Sequence, residues 1–172
     1  KNTHNELIYK YKLNHKNEQN NNILSSIILH DRNSIQAKPL TFEYDIYYGL
    51  LKNINEHGVP IMLLSKIIKA NGFSSKIVYD YPTVNTYDEE TQQELLVKQI
   101  SIDNQLGTQN TISYTYEGYE KKINNVRYFT KIVQANSLNN KIDEIYFSEE
   151  EHLKDKVLKS ITKVNNTILS EI

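Results

Sequence analysis

In EHGVPIMLLSKIIKANGFSSKIVYDYP, residues 56–82, an imidazole and a carboxylate stand where they could share a site. His57 precedes an apolar helical pattern, and Asp80 sits on the strand expected after it. Such a pair can pass a proton or join the shell of a divalent cation. Two groups complete neither device, because a zinc site takes three or four protein ligands. The chain has no cysteine, which excludes disulfides, thiolate ligation and a Cys nucleophile. Its serines are scattered and none stands in a GxSxG turn, so Ser-His-Asp hydrolysis is not indicated. Gly49, Gly58, Gly72, Gly107 and Gly118 are isolated, and no phosphate-cradling loop is formed.

The 172 residues suffice for one domain with a core and are short for two. With 20 basic and 21 acidic side chains the formal net charge is -1, so no global field holds nucleic acid or an anionic membrane. Apolar runs such as VPIMLL fall well below the roughly 20 residues of a membrane-spanning helix. The first residue is Lys rather than Met, and the expectation is a trimmed form with an export signal or anchor upstream.

The elements that must position His57 and Asp80 follow from periodicity. Residues 1–22, with HKNEQNNN at 15–22, read as a flexible tether too polar to offset ordering entropy. Ile23, Leu24, Ile27 and Ile28 predict a first helix ending near His30 to Asn33. Thr41 caps a second helix whose stripe is Phe42, Ile46, Leu50 and Ile54. Gly58 stops it, Pro60 opens a third helix over 61–70, and Asn71-Gly72 ends that one. SKIVYD reads as a strand that Pro82 terminates. A fourth helix, capped at Thr86 or Asp88, carries Leu95, Leu96 and Ile100. After Gly107 the period becomes two, and TISYTYEGY with NNVRYFTKIV predicts an antiparallel hairpin turning at Asn124-Asn125. KIDEIYF adds a strand, and SEEE at 148–151 opens a last helix with a stripe of Leu153, Val157, Leu158, Ile161 and Val164.

This succession resembles the CAP superfamily of cysteine-rich secretory, antigen 5 and pathogenesis-related proteins, over roughly residues 23–134. The marks are Arg32 before Pro39-Leu40, His57 ahead of a helix, and Asn71-Gly72-Phe73 where the family has an AGY-like triplet. VYDYP stands where the family's Glu-Asn-Ile strand would be. The Lys-, Asn- and Ile-rich, cysteine-free chain is also similar to outer-surface lipoproteins of Lyme-type spirochaetes. The resemblance implies an α+β fold: an α-β-α sandwich with a short, mainly antiparallel sheet, spanning 23–172 as one domain with an extra C-terminal helix. It also implies a cavity built from His57, Asp80 in place of a glutamate, one of Glu89, Glu90 or Glu94, and Ser101 where a second histidine is missing. With so few ligands the cavity is expected to be vestigial, without metal, cofactor or catalytic residue.

The expected function is therefore a non-enzymatic, surface-displayed lipoprotein on the cell outer membrane. It would be held there by a lipid anchor upstream and would bind a host protein or a small lipid or sterol; nucleic acid is not expected. The alternatives are a metal-dependent activity using His57, Asp80 and a helix-four glutamate, or a structural envelope component docking through the last helix. His4, His15, His30 and His152 read as solvated or helix-end side chains. Tyr44, Tyr47 and Tyr48, with Tyr114, Tyr116, Tyr119 and Tyr128, read as core packing with hydroxyls reaching the surface, or as an amphipathic contact surface.

Overall fold

The computed structural model describes residues 9–18, 20–31, 33, 35–48, 60–81, 95–107, 109–118, 122–123, 126–127, 129–150, 153 and 156–172. Among these no residue is α-helical. Eleven strands form one antiparallel sheet, and each is hydrogen-bonded to its neighbour in sequence order. They are β1 (Tyr9–Glu18), β2 (Asn21–Asp31), β3 (Leu40–Tyr48), β4 (Pro60–Ile68), β5 (Ser74–Asp80), β6 (Leu96–Asp103) and β7 (Gln109–Glu117), followed by β10 (Lys131–Asn136), β11 (Lys141–Phe147), β12 (Val157–Val164) and β13 (Thr167–Glu171). Two short strands, β8 (Lys122–Ile123) and β9 (Val126–Arg127), pair separately as a second sheet. The α-β-α sandwich and its C-terminal helix are thus overturned, and with them the CAP resemblance, whose fold is rich in helix.

Contacts divide the chain into two compact units. The first comprises 1–46, 62–76 and 102–108, and the second 47–61, 77–101 and 109–172. In the first unit, Tyr9–Glu18 lie inside the stretch expected to be a tether and form β1. Glu18 pairs with Asn21 of β2, and Asn20 between them has φ 64°. A left-handed residue suits a two-residue hairpin turn, because its backbone twist matches that of the flanking strands. The helical spacing of Leu24 and Ile27 comes from a bulge. Asn14 pairs Ser26 and His15 pairs Leu24, so Ser25 is an extra residue, and its hydroxyl donates to the Asn14 carbonyl at 3.0 Å. The extra residue puts Leu24 and Ile27 on one face at a spacing of three, which imitates a helix.

The same confusion explains the second helix. Phe42, Tyr44 and Ile46 are half-buried between exposed Glu43 and Asp45, a period of two that an i, i+4 count also satisfies. Aromatic and β-branched content decides for a strand, and the Tyr44 hydroxyl ties β3 to β2 by donating to the Leu24 carbonyl at 2.9 Å. Asn71-Gly72 is a hairpin turn between β4 and β5 rather than a helix end, with Gly72 at φ 87° and its N–H donating to the Lys69 carbonyl at 2.8 Å. Ile28 and Ser65 are the buried side chains described in this unit.

In the second unit, β10 and β11 show half-burial at every position, on both faces. Cross-strand neighbours on each face contribute to this half-burial. The register sets three rows across adjacent strands: Glu117–Lys131–Tyr146–Lys159, Thr115–Val133–Glu144–Ile161 and Ser113–Ala135–Ile142–Lys163. Polar groups then lock the first two. Lys131 pairs with Glu117 at 3.1 Å and lies 5.4 Å from the centre of the Tyr146 ring. The Tyr146 hydroxyl and the Lys163 ammonium both donate to Glu144, at 3.0 and 2.8 Å. Ile161, 7% exposed, is buried beside this network. The last helix is replaced by β12 and β13, whose connection Asn165-Asn166 has φ 47° and 64°. Val157 and Leu158 of the expected helical stripe stay exposed.

The bond from Lys163, helped by Tyr146, holds the Glu144 carboxyl below its ordinary range against the opposing effect of burial. A depressed folded pKa stabilises above the unfolded value, roughly 4.3, and the contribution is lost as pH falls through the folded pKa. Stability should therefore fall on acidification below about pH 4. Glu144→Gln should cost about 1–2 kcal/mol at neutral pH and flatten that acid slope in urea titrations, whereas an unchanged slope would assign it to other carboxylates.

Candidate functional site

Asp80 ends β5, on the strand where the sequence reading put it. Its Oδ1 accepts from the Tyr81 N–H at 2.9 Å and its Oδ2 meets the Lys98 ammonium of β6. The Lys98 bond keeps the Asp80 carboxyl below the usual carboxylate range, against a smaller desolvation effect, and both side chains are about half exposed. Ser101 is buried on β6, its hydroxyl accepting from the Gln99 amide at 2.8 Å. Lys98 and Ser101 are three residues apart on one strand and so lie on opposite faces. The geometry therefore sets Asp80 with Lys98 and leaves Ser101 to the other side. His57, Glu89, Glu90 and Glu94 lie outside the described residues, as do Arg32, His4, His152, Tyr119, Tyr128 and the Asn124-Asn125 turn. Among the described residues no three His, Asp or Glu side chains stand together as a metal site, and no helix is long and apolar enough to cross a membrane.

What Asp80 does border is an open groove of about 190 Å³. Leu96 and Lys98 of β6 line it with Tyr81 and, from β7, Tyr114 and Tyr116. Two of these tyrosines are fixed by backbone acceptors: the Tyr116 hydroxyl donates to the Val97 carbonyl at 2.7 Å, and that of Tyr81 to the Tyr48 carbonyl. The Phe129 ring lies 5.0 Å from that of Tyr116, and Tyr47 meets Tyr79 edge-on at 5.5 Å. Burial raises the Tyr116 and Tyr79 hydroxyls above their ordinary pKa, with smaller contributions from Tyr114 and Tyr47. They therefore stay protonated donors at neutral pH.

Sequence reasoning singled out Tyr114 and Tyr116 but missed Lys98. Its signal was available in LVKQISID, where a charged residue interrupts an apolar run at strand spacing. No protein-family model, curated protein or solved structure matches this chain. The strands form an antiparallel meander, and the CAP assignment has no support from relatives.

Proposed function

We propose that this chain is a non-enzymatic, surface-displayed binding protein whose ligand is a macromolecule. The groove beside Asp80 carries the reading. The Tyr81 and Tyr116 rings are already tethered to backbone carbonyls, so docking on them and on Tyr114 beside them costs little extra side-chain entropy, which is the behaviour of an interface anchor. The Asp80–Lys98 pair at its border adds a polar contact and keeps the carboxylate ionised at neutral pH, far from the pKa a general acid or base needs. A sterol or lipid takes a concave apolar site that encloses most of the ligand. An open groove of about 190 Å³ with a salt pair at its rim fits one anchor of a larger partner instead, and a host extracellular protein is the class we assign.

Surface plasmon resonance against a panel of extracellular-matrix and serum proteins tests this. At least one should bind saturably, and Tyr114→Ala should weaken it about tenfold, roughly 1.4 kcal/mol. A panel with no binder, or a binder indifferent to Tyr114→Ala and Asp80→Asn together, contradicts the proposal. Surface display fails separately if protease added to intact cells leaves the chain uncut.

A further inference from the structure

At the turn end of the second unit, on the face that carries the charge network, side-chain size falls abruptly. The row Thr115–Val133–Glu144–Ile161 is filled, whereas the next begins Ser113–Ala135–Ile142. Two small side chains beside large ones leave a hollow of about 550 Å³, open to solvent, within the size range of small-ligand sites. Its floor is the methyl of Ala135 and the side chain of Ile142, and its rim includes Thr111, Asn165 and Asn166.

The chemistry of the rim is selective. Asn165 Oδ1 accepts from the Asn140 amide at 3.0 Å, which orients Asn165 and leaves its own amide N–H groups to donate. Asn136 Oδ1 accepts from the Leu138 N–H at 2.9 Å, again leaving an amide donor. The Ser137 hydroxyl oxygen is occupied by the Thr111 N–H at 2.9 Å. The hydroxyls of Thr111 and Ser113 and the amide of Asn166 have no protein partner among the described residues. The one cation in the lining, Lys141, is held by Asp143 at 2.8 Å, and Asp143 also accepts from Thr162 at 2.7 Å. The hollow thus offers amides and hydroxyls, able both to donate and to accept, around a small apolar floor, with its charge neutralised.

An anion would find no uncommitted cation, and a cation no uncommitted carboxylate. A neutral ring that carries hydroxyls on its edge and C–H groups on its face matches both parts of the lining. We infer that this hollow is a binding site for an uncharged saccharide, separate from the tyrosine groove and independent of it.

Titrating the whole isotope-labelled chain with chitotetraose, maltotetraose and a lactose-terminated tetrasaccharide, followed by amide NMR, tests the inference. At least one should shift the amides of Ser113, Asn165 and Asn166 saturably, with an affinity unchanged between low and high salt, because the ligand carries no charge. Ser113→Tyr should fill the hollow and weaken binding at least about tenfold. Asn166→Gly keeps the left-handed turn, φ 64°, removes the amide, and should weaken binding with no loss of thermal stability. The inference is overturned if none of the three saccharides shifts these amides, or if both variants bind as the wild type does. A sulfated oligosaccharide that binds more tightly than every neutral one, with strong salt dependence, also overturns it.

Discussion

Ile161→Ala is expected to cost about 2–4 kcal/mol, as much as a truncation in a well-packed core. Ile161 and Ile28 are the buried apolar side chains described in the chain. On its face Ile161 lies between Glu144 of β11 and Glu171 of β13, and Glu171 is paired with Lys159. Removing the branched side chain leaves a gap that admits water to Glu144 and Lys163, weakening an ion pair whose carboxylate side chain is only 13% exposed. Transfer loss, cavity and screening therefore add at one position. Urea unfolding should show a lower midpoint with an unchanged slope. Val157→Ala on the same strand, at a site 57% exposed, should stay within about 0.5 kcal/mol. Equal effects at the two positions would mean that the row of side chains around Ile161 does not hold the face together.

Gly118→Ala should be nearly as damaging, at about 2–3 kcal/mol, for two separable reasons. Gly118 sits at φ 78°, where any Cβ is strained. A Cβ there would also collide with the side chain of Thr130, which cannot swing away freely: its N–H donates to the Glu117 carbonyl at 2.8 Å and its hydroxyl reaches the same oxygen at 3.3 Å. Glu117 and Lys131 flank this contact and form the first pair of the charge network, so a displaced Thr130 disturbs the register of β7 on β10. Gly107 separates the two causes, since it has φ 81° with nothing within 4 Å of its would-be Cβ. Gly107→Ala should cost only the backbone strain, about 1–2 kcal/mol. Thermal unfolding of both variants checks the difference, and equal losses would leave the Thr130 collision without consequence.

Part of this architecture was legible before any coordinates. SKIVYD, TISYTYE and KIDEIYF alternate over runs bounded by turn residues, and they are strands β5, β7 and β11. Asp80 was placed on its strand for the same reason. All five expected helices include described residues and none of these is α-helical; the first two fail where two periods coincide or where one is disguised. Phe42 to Ile46 satisfies both spacings, and the Ser25 bulge gives Leu24 and Ile27 a helical interval inside a strand. The sequence marks asparagine as a turn former at Asn124-Asn125 and as a helix end at Asn71. At Asn20, Asn140, Asn165 and Asn166 it supplies the positive φ of strand connections, a function its short polar side chain tolerates and most residues do not. The cavity expected around His57 rested on an order of elements that the strands do not share.

Local chemistry in the chain dictates where it reverses and which side chains alternate, because backbone sterics act between adjacent residues. It also dictates the neutral charge balance and the absence of thiol chemistry. Only the folded sheet decided that Lys98 would meet Asp80, that Ser101 would face away, and that Ser113 and Ala135 would lie side by side to open a hollow. Those pairings depend on the register between strands. Register is settled by the sum of many cross-strand contacts rather than by any residue's own preference, and a slip of one position would turn each of these side chains to the opposite face.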